Sequence, residues 1–254
     1  MDISLVVPAY NESGNIEPFL CAATEVLQSI GMSYEIVVVN DGSRDDTLVK
    51  LVHLIEKYPP LRIIDLSRNF GKEAALTAGL DAAVGRVVIP MDADLQHPPR
   101  LIPLLIAHWQ QGFDVVLCKR ASRDTDHWLQ RWVSRLFYRV HNAVAERDIP
   151  PDVGDFRLMD RRVVDALRLL PERRRFMKGI FSWVGFRTTV VEFEADARLS
   201  GRSNFNGWRL WNFALEGITS FSTVPLRIWT YVGSIVSLVS IGYAIKIVMS
   251  TLIS

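Results

Sequence analysis

Short apolar runs alternate with longer stretches of helical periodicity through the first half of the chain. Residues 3–8, 35–40, 61–66, 86–91 and 113–118 are rich in Val, Ile and Leu and predict strands. Between them, residues 16–30, 45–58, 72–83 and 99–110 predict helices, the second with Leu48, Leu51, Val52 and Ile55 at helical spacing. Strands this continuously apolar, alternating with helices, imply a parallel sheet covered on both faces. Ligands of such sheets bind at the carboxyl ends of the strands. Polar residues gather at all five of those ends: Tyr10, Asn11 and Glu12; Asp41 and Gly42; Ser67, Arg68 and Asn69; Asp92, Asp94 and Gln96; Lys119, Arg120 and Arg123. Turn-forming Asp, Asn and Gly explain any one cluster. They do not explain five in succession.

The far end of the chain has a different pattern. Residues 228–245 carry no charge over 18 positions, the lower limit for a membrane-spanning helix, and Lys246 sits where its stem can snorkel. A buried core helix is the competing reading, but the run has only Ser, Thr and Gly in place of a polar face. Just before it, residues 205–224 include Trp208, Trp211, Phe213 and Phe221, the composition of an amphipathic helix lying at a membrane interface. The expected division is therefore 1–204 as the α/β domain, 205–226 as the juxtamembrane region and 227–254 as the transmembrane segment. The N-terminus does not read as a signal peptide, because a basic leader is missing and Pro8, Asn11 and Glu12 interrupt the apolar run.

Composition narrows the class. The chain has 254 residues, 49% hydrophobic and 22% charged, enough for a full core. Two cysteines make no disulfide framework and point to a reducing compartment. A net charge of +1 argues against a nucleic-acid binder. The charge is nevertheless segregated: residues 1–100 hold 8 basic and 14 acidic residues, while residues 160–209 hold 11 basic and 6 acidic. The basic stretch suits either a solvated helix surface or a face turned to anionic head groups and phosphates.

The nucleotide signatures are informative by their absence. No G-x-G-x-x-G follows the first strand, and Gly71-Lys72 lacks the remainder of a P-loop. Asp92-Ala93-Asp94 offers another way to hold phosphates. Two carboxylates one residue apart can both approach one hard divalent cation, or one can take the metal and the other a ribose.

At this point the chain resembles the family 2 glycosyltransferases of GT-A fold. The resemblance rests on Val6-Val7-Pro8-Ala9-Tyr10-Asn11-Glu12, Val39-Asn40-Asp41-Gly42-Ser43, Arg68-Asn69-Phe70-Gly71-Lys72 and Met91-Asp92-Ala93-Asp94-Leu95-Gln96-His97-Pro98. Gly154-Asp155-Phe156-Arg157-Leu158, Gly201-Arg202-Ser203 and residues 220–227 narrow it to polyprenyl-phosphate glycosyltransferases, a group that includes bactoprenol glucosyltransferases and dolichol-phosphate mannose synthases. The resemblance implies a Rossmann-like α/β domain with a mostly parallel sheet, followed by interfacial helices and a C-terminal transmembrane helix. It implies an inverting transferase that moves a hexose from a nucleotide sugar, UDP-glucose before GDP-mannose or an aminoarabinose donor, to undecaprenyl phosphate. A membrane-anchored nucleotide-sugar sensor without activity is the alternative from another class. Mg²⁺ or Mn²⁺ is the implied cofactor and a homo-oligomer stays open. The implied location is the cytoplasmic membrane with the catalytic domain on the cytoplasmic side. The bacterial branch usually carries two transmembrane helices where this chain shows one, which leaves open a shortened chain or a single-helix anchor.

By the same resemblance, Pro8, Ala9, Tyr10 and Glu12 surround the nucleobase and ribose with Asp41 nearby, and Lys72 reaches the diphosphate. Asp94 is the first metal ligand, Asp92 a ribose or second metal contact, and Gln96 a metal or phosphate contact. Asp155 stands near the anomeric carbon. Arg120, Arg123, Arg131 and Ser134, with Ser203, gather the acceptor phosphate, and Arg202 with Ser203 belongs to a mobile flap over the diphosphate. His97, followed by two prolines, reads as loop structure.

Overall fold

The computed structural model describes residues 1–120, 153–170, 185–193 and 224–253. These fall into two compact units: the helix Val224–Ile253 belongs to one and the remaining described residues to the other.

The larger unit is built on a seven-stranded sheet: β1 (Ile3–Ala9), β2 (Tyr34–Asn40), β3 (Leu61–Asp65), β4 (Val87–Pro90), β5 (Val115–Arg120), β6 (Val153–Asp160) and β7 (Thr188–Phe193), in the order β3-β2-β1-β4-β6-β5-β7. The strands β1 to β4 pair in parallel, as do β5 and β7. The sheet is mostly parallel, as expected; among the described strands β6 runs against the rest, antiparallel to both β4 and β5. Two reversals restore the direction, so β5 points the same way as β4. All strands but β6 therefore end at one edge of the sheet, and β6 begins there.

Apolar runs explain why this sheet is buried on both faces. Ile3, Leu5, Val7 and Ala9 pack with α1 (Ile16–Ile30) through Ile16, Phe19, Leu20, Ala23 and Leu27. That helix stops at Gly31, whose φ of 73° supplies the left-handed end that a side chain resists. On the other face, α3 (Lys72–Ala82) brings Gly79 against Val6 and Val39. Arg168 donates to the carbonyls of Leu80 and Ala83, satisfying the open C-terminal end of α3. At the opposite edge from the strand ends, the buried carboxylate of Glu35 accepts from Ser4 Oγ (2.5 Å), Arg62 Nη1 (2.6 Å) and the Val84 N–H (2.8 Å). Burial alone would raise its pKa, but these donors hold it below the usual carboxylate range.

Element boundaries shift in places. The second helix, α2 (Thr47–Leu54), is shorter than the expected 45–58. Its end tightens as Ile55 N–H turns to Val52, and Pro59-Pro60 bars continuation. Leu51 and Leu54 are buried, whereas Val52 and Ile55 stay exposed. Residues 99–110 divide into a 3-10 turn, Pro99–Leu101, and α4 (Ile102–Gln110). The fifth strand extends through Lys119 and Arg120 because β7, unanticipated from sequence, pairs with it as far as Phe193.

The helix Val224–Ile253 contains one stretch, Trp229–Ile253, that is long and apolar enough to cross a membrane, with mean hydropathy 1.9. Its apolar side chains are exposed, unlike those of a core helix.

Gly79→Ala tests how tightly α3 sits on the sheet. A Cβ there would lie 2.3 Å from Val6 Cγ1 and 3.1 Å from Val39 Cγ2, both stiff β-branched side chains. The usual gain of about 1 kcal/mol for Gly→Ala inside a helix should reverse into a loss of about 1–3 kcal/mol. Thermal unfolding would show a lowered midpoint, and a raised midpoint would refute this packing.

Candidate active site

The shared strand edge carries a cavity of about 330 Å³, within the size range of small-molecule sites. Pro8, Ala9, Tyr10, Glu12, Asp41, Lys72, Asp92 and Asp94 line it, together with Asn69, Gly71 and Ala75. Gln96 lies next to this lining rather than in it.

Each lining segment is fixed by a local device. After β1, Asn11 takes a φ of 56°, uncommon outside glycine but tolerated by Asn. Its N–H donates to Ser43 Oγ (3.0 Å) and its Oδ1 accepts from the Arg44 N–H (2.8 Å), so the loops after β1 and β2 hold each other. The Glu12 N–H donates to Thr47 Oγ1, and its carboxylate accepts from Asn15 Nδ2 at 2.7 Å. Burial pushes the Glu12 carboxyl up, with help from the charges of Asp94 and Asp92, against the Asn15 amide.

After β2, Asp41 is buried and uses both carboxylate oxygens on the next loop. It accepts the Phe70 N–H at 2.7 Å and the Gly71 N–H at 2.9 Å. Gly42 makes that contact possible, since a Cβ on it would stand 2.3 Å from the Arg68 carbonyl carbon. Gly71, with a φ of 97°, turns the chain directly into α3, so Lys72 is the first helical residue at the cavity.

The Lys72 ammonium stands 2.7 Å from Asp92 Oδ1 and 2.8 Å from Asp155 Oδ2. Burial works against its charge, but the two carboxylates outweigh that and hold its pKa above the usual lysine range. Asp155 reaches this point because β6 starts at the edge where β4 ends. The chain after β4 makes a strained turn: Leu95 has a φ of 57°, and Asp94 Oδ1 accepts the Gln96 N–H at 3.1 Å.

Around these groups lies an apolar wall with buried polar members. The His97 ring packs against Phe156 and Phe193, with centroids 5.2 and 5.7 Å away. Burial holds its pKa below the usual histidine value. Arg157 is buried two residues beyond Asp155 and donates from Nε to the Asp155 carbonyl; burial lowers its pKa to about 10. The sequence signal for Arg157 was its place inside an apolar strand, where an arginine needs a reason. Cys118 beside it is a buried thiol pushed up to about 12 by burial, which makes it inert.

Arg120 ends β5, paired in register with Phe193. Arg123, Arg131, Ser134, Arg202, Ser203, Trp208, Trp211, Phe213 and Phe221 lie outside the described residues.

Among the described residues no group of three His, Cys, Asp or Glu side chains forms a closed metal cage. The donors present fit an open site instead. Asp92 and Asp94 offer hard carboxylate oxygens facing a cavity, the arrangement by which Mg²⁺ or Mn²⁺ is held through a few carboxylates plus substrate phosphates. The Lys72 ammonium already bridges Asp92 and Asp155 and offsets part of this charge.

Comparison with known proteins agrees with this architecture. Residues 4–168 match the family described as Glycosyl transferase family 2. The bactoprenol glucosyl transferase of Shigella phage SfV is 50% identical over 254 residues, all of this chain and 82% of that protein. An uncharacterized glycosyltransferase of Synechocystis is 49% identical over 252 residues, 99% of this chain and 79% of that one. Glucosyl-3-phosphoglycerate synthase from Mycobacterium tuberculosis, solved with Mn²⁺, UDP and phosphoglyceric acid, shares the fold. Its TM-score is 0.60 at 21% identity, over 85% of this chain and 76% of that one. With a family match over most of the chain and a full-length relative at half identity, this protein belongs to glycosyl transferase family 2.

Proposed function

We propose that the enzyme transfers a hexose, glucose first, from a nucleoside diphosphate sugar to a polyprenyl phosphate with inversion at the anomeric carbon. The observation that carries this reading is the 50% identity to a bactoprenol glucosyl transferase along the entire chain. Pro8, Ala9, Tyr10, Glu12 and Asp41 hold the nucleoside, with the Tyr10 ring available to stack on the base. Lys72 takes the diphosphate as a point charge at a helix start. Asp94 and Asp92, with Gln96 beside them, hold Mg²⁺ or Mn²⁺, which when bound offsets diphosphate charge.

The acceptor phosphate is anionic at neutral pH and needs no strong general base. It needs cations that gather it without quenching its attack, a role given to Arg120, Arg123 and Arg131 with Ser134. Asp155 orients a sugar hydroxyl or stabilises developing oxocarbenium charge. Arg202 and Ser203 close over the leaving diphosphate. The division into residues 1–204, 205–226 and 227–254 belongs to this proposal. So does anchoring in the cytoplasmic membrane: Arg198, Arg202, Arg209 and Arg227 precede the apolar run, and the positive-inside bias keeps the larger unit in the cytoplasm.

Three measurements test this. A panel of radiolabelled UDP-glucose, GDP-mannose and UDP-aminoarabinose derivatives, each with undecaprenyl phosphate and Mn²⁺, should give a lipid-linked sugar from UDP-glucose. Donor binding without transfer from any of them would favour a sensor. Asp94→Asn keeps the shape and removes a charge, so turnover should fall by about a hundredfold or more with folding intact. Normal turnover at limiting Mn²⁺ would remove Asp94 from the metal site. Cys21 is exposed and Cys118 buried, so Cys21 is a native topology probe. An impermeant thiol reagent should leave it unlabelled in intact spheroplasts and label it after lysis; labelling from outside would reverse the orientation.

A further inference from the structure

Lys72 is paired with one of the two carboxylates that the metal reading gives to a divalent ion. Its Nζ lies 2.7 Å from Asp92 Oδ1, 2.9 Å from Asp92 Oδ2 and 2.8 Å from Asp155 Oδ2. One ammonium thus occupies both oxygens of one carboxylate of the Asp92-Ala93-Asp94 pair. A divalent cation bonds to carboxylate oxygen at about 2.0–2.2 Å. At that distance it competes with the ammonium for Asp92, because each cation neutralises the charge that attracts the other.

The backbone of Lys72 is fixed and its head group is not. Asp41 clamps the Phe70 and Gly71 N–H groups, so the residue is anchored as the first of α3. Its side chain nevertheless keeps 45% of its surface exposed, and a flexible four-carbon stem lets the ammonium move. Among the described lining residues, Lys72 is also the one cation facing the cavity. An arriving diphosphate therefore draws on the same ammonium that Asp92 and Asp155 now hold.

We propose that Lys72 is a resident placeholder for the divalent cation, which releases Asp92 and Asp155 when a nucleoside diphosphate takes its ammonium, so that metal and donor load together. The inference rests on the donor and metal reading above and adds an order to it. With the cavity empty, metal alone binds weakly because it must displace Lys72. With the diphosphate present, Lys72 has a new partner and the metal gains Asp92. Asp155, the carboxylate nearest the reacting sugar in the proposed reaction, leaves its ion pair in the same exchange.

The test is a Mn²⁺ titration of the full chain in detergent, following free aqueous Mn²⁺ by electron paramagnetic resonance, with and without UDP. Wild type should bind Mn²⁺ weakly alone and more tightly with UDP. Lys72→Met, neutral and of similar length, should bind Mn²⁺ alone about tenfold tighter or more, because the competing charge is gone. UDP should then add little. Lys72→Arg keeps the charge and should behave as wild type, which separates charge from packing. Lys72→Gln repeats the experiment if circular dichroism shows the Met variant unfolded. A folded neutral variant that binds Mn²⁺ alone no tighter than wild type overturns the placeholder while leaving the metal site standing. Absence of Mn²⁺ binding to wild type even with UDP removes the metal reading, and the placeholder with it.

Discussion

The ion pairs of Lys72 with Asp92 and Asp155 join three segments far apart in the chain, and the architecture of the larger unit serves to bring them together. Lys72 begins a helix, Asp92 follows a strand that ends at the cavity, and Asp155 opens a strand that starts there. Parallel strands alone would deliver only strand ends to one edge. The reversed strand β6 delivers a strand beginning, and with it the Asp155 carboxylate, while the far end of β6 pairs with both β4 and β5. The site is therefore set by rigid elements, with loops clamped by Asp41, Asn11 and Thr47 filling the space between.

Much of this was legible in the sequence because hydrophobic pattern and turn chemistry report locally. Residues 3–9 read as a strand since both faces are buried, and 16–30 as a helix since Phe19, Leu20, Ala23 and Leu27 repeat at helical spacing. The polar clusters at strand ends held Tyr10, Glu12, Asp41, Asn69, Asp92 and Asp94 of the lining, because a strand end at a sheet edge is where backbone and side chains can both face a ligand, whereas Pro8, Ala9 and Lys72 came with the family resemblance. The partners were not legible. That Asp41 would spend its carboxylate on Phe70 and Gly71, or that Lys72 would join Asp92 to Asp155, depends on pairings across 20 to 83 residues of chain. No local period encodes them. The antiparallel course of β6 was hidden for the same reason, since its apolar run looks alike in either direction. Val52 and Ile55 mark the opposite failure: a helical period that structure does not bury.

The helix Val224–Ile253 stands apart from this logic. Its apolar residues have no packing period, and their exposure suits a hydrocarbon solvent rather than water. The soluble donor and lipid acceptor proposed above would suit such a division, since a lipid phosphate lies at head-group depth.

The account depends on one edge of the sheet assembling a site whose cation changes identity when the donor arrives. Crystals grown with Mn²⁺ and UDP, measured at the manganese absorption edge, test that most directly. The account predicts an anomalous peak within bonding distance of an Asp94 carboxylate oxygen, the diphosphate in contact with Lys72 Nζ, and Asp155 parted from Lys72. Manganese bound away from Asp94, or UDP seated in the cavity with Lys72 still paired to Asp155, would contradict it.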